Sequence, residues 1–182
     1  TVHPKEGQIG KFRPLGISNF EDKIVQLMTK KILESIYEPL FLNCSYGFRP
    51  QKSCHHAIRD LYEHLYKNEV EAIIDVDLEN YFGTISHSNL LSFLRMKIKD
   101  ERFIRYIVSM LKAGVLSDGE VRMSEEGSPQ GNIVSPILSN IFSHYVIDLW
   151  FNIILGKYLK GPVKMFKYAD DIVICCRFEE DA

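Results

Sequence analysis

Two short runs of strand-forming residues, VKMFKY at 163–168 and DIVICC at 171–176, are separated only by Ala169 and Asp170. A two-residue connection between β-branched and aromatic runs predicts a tight hairpin. A hairpin commits the chain to antiparallel pairing, so an all-helical fold is excluded. A third run, AIIDVDL at 72–78, carries Asp75 and Asp77 at alternate positions. Because strand side chains alternate between faces, those two carboxylates share one.

The rest of the chain reads as helix. Asn19 can cap a helix whose apolar residues Ile24, Leu27, Met28, Ile32 and Ile36 follow helical spacing to about Pro39. NCSYGFRPQ at 43–51 reads as a loop, and Ser53 can cap a second helix through Ala57, Ile58, Leu61 and Leu65, ending at Lys67-Asn68. Helices follow over Ser86 to Ile98 and Asp100 to Lys112, with Gly114 as a stop and a weak hairpin at 115–124. GSPQGNIVSP then leads into a long apolar helix from Ser135 to Phe151. Helices first, then a strand, helices and a closing hairpin give an α+β order rather than alternating βαβ units.

With 182 residues, 46% of them hydrophobic and 25% charged, the chain can bury a core of its own, and no repeat or linker divides it. One domain is expected. Cys44 and Cys54 stand alone and Cys175-Cys176 are adjacent, so no C-x-x-C spacing exists and all four read as reduced thiols of a cytoplasmic protein. No apolar run approaches the roughly 20 residues of a membrane span, and the opening residues are no secretory signal. The net charge of −2 speaks mildly against a nucleic-acid binder. It hides an asymmetry: residues 1–68 carry 10 Lys and Arg against 7 Asp and Glu, whereas residues 69–182 carry 12 against 17.

The strongest chemical feature is Asp170-Asp171 at the hairpin tip. Adjacent carboxylates between apolar strands are electrostatically costly without a cation. Magnesium suits them, being a hard ion that takes a few carboxylates plus substrate phosphates. Asp77 can supply a third carboxylate, and such a trio can hold two ions roughly 3.5–4 Å apart for an in-line displacement at phosphorus. Against this stands ordinary turn chemistry, in which Asp is simply a favoured turn residue. Glu79, Glu125, Glu126 and Glu179-Glu180-Asp181 read as solvated charge.

Five segments, in order, resemble reverse transcriptases, and closely those encoded by group II introns: KFRPLGISNFEDKIVQ, IYEPLFLNCSYGFRPQKS, DVDLENYFGTISHSNLL, GSPQGNIVSPILSNIF and YADD. Together they run from about Lys5 to Asp171. The resemblance implies the fingers and palm of a right-hand polymerase, an antiparallel palm sheet packed on helices, with the thumb absent. Residues 1–70 would be mainly fingers, and 71–182 mainly palm with fingers insertions.

Carried over residue by residue, the resemblance makes Asp77, Asp170 and Asp171 the catalytic metal ligands for two Mg²⁺ ions, with Mn²⁺ as a substitute. Phe82, five positions after Asp77, would lie under the sugar of the incoming nucleotide and exclude a 2′-hydroxyl. Gln130 and Gly131 would lie near that nucleotide. Arg13 and Lys5, or Lys11 in place of Lys5, would grip its triphosphate. Tyr46, Phe48 and Arg49 would have structural or template-facing duty. Gly83 departs from the pattern, since the family commonly has Asp there. Taken bare, Tyr81 and Phe82 are equally two strand-end aromatics with one in the core, and Pro129-Gln130-Gly131 a plain turn.

The implied function is RNA-directed DNA synthesis on an RNA template such as intron RNA, with a DNA primer and dNTPs, by a retroelement protein that also has an RNA-binding maturase role. One rival is a maturase with little or no polymerase activity. Another is a different palm enzyme, a nucleotide cyclase or an RNA-dependent RNA polymerase. The oligomeric state is open.

Overall fold

The structure is a computed structural model that describes residues 19–112 and 132–182, together with four short strands at backbone level, 2–4, 12–14, 115–117 and 120–122. Lys5, Lys11, Gly114, Gln130 and Gly131 lie outside the described residues, and Arg13 is described only as backbone. The chain forms two compact units: residues 1–36 with 80–139, and residues 37–79 with 140–182.

In the first unit, β1 (Val2–Pro4) pairs antiparallel with β2 (Phe12–Pro14), setting Arg13 opposite His3. The sequence reading did not anticipate this hairpin. Helix α1 (Phe20–Tyr37) begins as Asn19 implies, with the Lys23 N–H donating to the Asn19 carbonyl at 3.0 Å. Its apolar stripe points outward. Ile24, Leu27, Met28 and Ile32 are exposed, whereas Leu33 and Tyr37 are wholly buried.

The second unit is a three-layer arrangement. Helix α2 (Cys54–Lys67) starts at Ser53, whose hydroxyl accepts from the His56 N–H at 3.3 Å, and stops at Asn68. Strand β3 (Ala72–Asp77) follows. The chain then returns to the first unit for α3 (His87–Lys97) and α4 (Glu101–Lys112), which contact each other and bury Leu90 and Leu94 on the one and Ile104, Ile107 and Leu111 on the other. Their caps are local: Ser86 accepts from the Asn89 N–H, and Asp100 from the Arg102 N–H at 2.8 Å. β4 (Val115–Ser117) and β5 (Glu120–Arg122) make the short hairpin expected there.

Helix α5 (Ser135–Ser143) does not end at Phe151 as its apolar pattern implies. It continues in π-helical turns through His144–Asp148 and Trp150–Ile154 to a 3₁₀ turn at Leu155–Lys157. Contrary to the sequence reading, 135–154 is long and apolar enough by composition to cross a membrane; half of it is buried inside the fold.

β6 (Val163–Tyr168) and β7 (Asp171–Cys176) complete the sheet, whose order β3-β7-β6 puts β7 in the centre with antiparallel neighbours on both sides. On one face, Tyr46, Phe166 and Cys175 pack with Ala57 and Leu61 of α2. On the other, Met165 and Ile172 pack with Ile147, Phe151 and Leu155 of the continued α5. All four cysteines are free thiols.

Candidate active site

The register of the sheet brings the acidic residues together. Asp77, the last residue of β3, lies directly opposite Asp171, the first of β7, and Asp171 in turn lies opposite Tyr168. Directly opposed residues project from the same face, so Asp77, Asp171 and Tyr168 form a row at the end of the sheet. Asp75 stands one row back on that face, opposite Val173. Beyond Asp77 the Leu78 N–H donates to the Asp170 carbonyl at 3.3 Å, tying the end of β3 to the turn.

The turn itself is Ala169-Asp170. Ala169 has φ of 59° and Asp170 has no positive φ, the φ pattern of a type II′ hairpin turn. An alanine held there costs conformational energy that its surroundings must offset. Those surroundings are the S-Y-G segment. Gly47 is so close to the turn that a Cβ on it would stand 2.4 Å from the Ala169 nitrogen. The Gly47 carbonyl accepts from the buried Asn140 side chain at 2.8 Å.

The same segment grips β6. The Lys167 N–H donates to the Cys44 carbonyl at 2.7 Å, and the Tyr46 N–H donates to the Lys167 carbonyl at 2.8 Å. Arg49 holds the segment in shape by donating to the carbonyls of Leu42 and Ser45 at 2.7 and 2.8 Å while its fork meets the Glu38 carboxylate. The Tyr46 hydroxyl donates to Asp60 at 2.9 Å. SYGFRP is therefore a brace beneath the turn, the structural side of the expectation for Tyr46 and Arg49. Phe48 is exposed, with φ of 55°.

Electrostatically the row is under tension. The Asp171 carboxyl is held above its ordinary range, first by desolvation and then by the charges of Asp170, Asp77 and Asp75. Among the described residues no group of three or more His, Cys, Asp or Glu side chains is gathered closely enough to hold a metal ion as it stands. What the structure provides is three carboxylates at one end of one sheet, mutually repelling. Oxygen ligands of that type and charge fit a hard divalent cation.

Phe82 belongs to the other unit. It lies in a 3₁₀ turn (Tyr81–Gly83), half-buried, its ring edge-on to Tyr81 at 5.6 Å. Tyr81 is the core member of the pair, and its hydroxyl donates to the Ser139 carbonyl at 2.6 Å. At Gly83 an added Cβ would meet the amide of Asn80 at 2.5 Å, so the Asn80 side chain fills the space that a larger residue would need.

One cluster escaped the sequence reading. Lys167, 1% exposed, reaches Asp148 of the continued α5 at 2.6 Å and donates to the Ser143 hydroxyl at 2.6 Å. The signals were a lysine on the Val163-Met165 face of an apolar strand and an acid within an apolar helix.

A family model described as reverse transcriptase (RNA-dependent DNA polymerase) matches residues 3–182. The chain is 41% identical over 134 residues to the group II intron-encoded protein LtrA of Lactococcus lactis subsp. cremoris, covering 74% of this chain and 22% of that protein. It is also 41% identical over 154 residues to an uncharacterized 91 kDa protein in the cob intron of Schizosaccharomyces pombe, covering 85% of this chain and 19% of that one. The chain thus spans about a fifth of the length of these relatives. Among solved structures, apo telomerase from Candida tropicalis superposes with a TM-score of 0.67 at 15% identity, covering 100% of this chain and 44% of that one, a likeness of fold. The segments at 43–49 and 168–171 that brace and form the turn lie within the matched span, and the chain belongs to the reverse transcriptase (RNA-dependent DNA polymerase) family, where its relatives include a group II intron-encoded protein.

Proposed function

We propose that this chain is the fingers-and-palm part of an RNA-directed DNA polymerase that extends a DNA primer with dNTPs on an RNA template. The observation that carries the reading is the pairing of Asp77 with Asp171 beside the Ala169-Asp170 turn. It gathers acids from two distant stretches of sequence at one sheet end.

Reverse transcriptases generally use divalent metals. Here Asp77, Asp170 and Asp171 would hold them, and Mg²⁺, or Mn²⁺ in its place, would supply activation of the primer 3′-hydroxyl and neutralisation of charge on the phosphate oxygens. The residues then divide the remaining work. Phe82 presents a ring whose bulk disfavours a 2′-hydroxyl on the incoming nucleotide. Arg13 and Lys5 bind its triphosphate, and Gln130 and Gly131 border it. The carboxylates themselves contribute fixed negative charge in a preset arrangement, which is where catalysis by positioning and electrostatics gets its advantage.

Replacing Asp170 with Ala in the complete gene product should abolish primer extension while leaving the melting temperature at or above that of the parent. Undiminished extension by that variant would refute the assignment. A second reading, an RNA-binding maturase, is supported by the intron-encoded relative. It is compatible with the first, and splicing measured with all three acids replaced separates the two roles.

A further inference from the structure

The Lys167–Asp148 ion pair lies on the face of the sheet opposite the carboxylates. In the register, Lys167 pairs with Ile172 and Ile172 with Val76, so its row is the apolar one next to the turn. Both groups are 1% exposed. Nearby His144 is held below its ordinary range by burial, and its Nδ1 stands 3.9 Å from Asp148. Among the described residues neither Asp148 oxygen nor His144 Nδ1 has a hydrogen-bond partner, so the 2.6 Å contact between Lys167 and Asp148 is an ion pair.

A buried ion pair is a poor source of stability, because desolvating two charges consumes most of what their attraction returns, and apolar replacements are often neutral or better. Its advantage lies in geometry. The apolar contacts of Met165, Ile172 and Phe151 between sheet and helix are non-directional and tolerate sliding. A 2.6 Å contact between two charges walled off from water is different: sliding it apart leaves both charges buried and unpaired, at a cost the apolar contacts do not carry. Lys167 is also the residue whose backbone is bonded on both sides by Cys44 and Tyr46, and it lies three residues before Asp170.

We propose that the buried Lys167–Asp148 pair is a positioning device: through it, helix α5 fixes where the Ala169-Asp170 turn, and with it Asp170 and Asp171, stands relative to Asp77. Lys167 touches none of the carboxylates and acts through the backbone of β6. The inference rests on the reading of those carboxylates as metal ligands.

The test compares the complete gene product with the charge-free pair Lys167→Met/Asp148→Leu, and with Ser143→Ala, which removes one partner of the ammonium and no charge. Two quantities are read without any turnover: hydrogen exchange of the amides at 168–171, and Mn²⁺ binding by electron paramagnetic resonance titration. The double variant should keep the parent's melting temperature, exchange those amides about tenfold faster and bind Mn²⁺ about tenfold more weakly, the low end of what losing support around metal-holding groups costs. Ser143→Ala, which loosens the ammonium without removing its charge, should shift both the same way by a smaller factor. A folded double variant with unchanged exchange and unchanged Mn²⁺ affinity overturns the proposal. If the double variant does not fold, Ser143→Ala decides, and parental values there overturn it. Asp77→Asn separates the two readings: it should abolish Mn²⁺ binding without accelerating exchange. Intact Mn²⁺ binding in Asp77→Asn refutes the metal reading alone, leaving the exchange comparison to judge the positioning role.

Discussion

Asp77 and Asp171 face each other directly across β3 and β7, at the end of the sheet where the turn places Asp170. Carboxylates so placed repel, and that repulsion belongs to the folded state only.

Asp171→Asn should therefore raise the melting temperature of the metal-free protein while abolishing primer extension. The sign follows from the raised pKa of Asp171. Above the carboxylate range the native state carries a charge it disfavours, so the wild type is the less stable. Below that range Asp171 is protonated in both folded and unfolded chains, and the gap closes. Melting curves from neutral pH down to about pH 3 should show the difference shrinking with acidification; a gap that widens would contradict the clustering.

Gly47 has no room for a side chain against Ala169. Gly47→Ala should destabilise the protein by about 1–3 kcal/mol through overpacking, read by urea unfolding. It should also lower primer extension more than a surface Gly→Ala change of equal stability cost, because the displaced atom belongs to the turn.

Phe82 is only half-buried, whereas its neighbour Tyr81 is in the core. Phe82→Val should then leave folding nearly intact and raise incorporation of ribonucleotides relative to deoxynucleotides by about tenfold or more. Single-nucleotide extension with dNTP and NTP measures the ratio, and an unchanged ratio would remove Phe82 from the nucleotide site.

The thiols should separate by environment. Burial pushes the Cys44 thiol up to about 11, and burial raises Cys175 and Cys176 as well. Cys54 is exposed at the start of α2. Because the thiolate is the reacting species, iodoacetamide at pH 8 should label Cys54 first, with the other three reacting only on unfolding. Peptide mass mapping over time checks the order.

Much of this structure was legible from local sequence. Ser53 accepts a backbone N–H as the cap its position predicts, and Ser86 and Asp100, where helices were expected to start, do the same. The strands 163–168 and 171–176 run to the residues their apolar content marks. Capping and tight turns are decided by neighbours within four residues, so a linear reading reaches them.

Other features were out of reach. That α1 turns Ile24, Met28 and Ile32 outward, that Gly47 abuts Ala169, and that α5 runs on in π-helical turns past Phe151 depend on residues far away in the chain. So does the pairing of Lys167 with Asp148, which spacing alone gives no reason to expect. The chain by itself determined most of the helix and strand positions, though not the hairpin at 2–4 and 12–14, and which acids alternate onto a shared face, because those follow from short-range sterics and hydrogen bonding. Only the tertiary fold decided which acids meet and what holds them there, because strand register and the neutralisation of a buried charge are set by packing between segments that the sequence keeps apart.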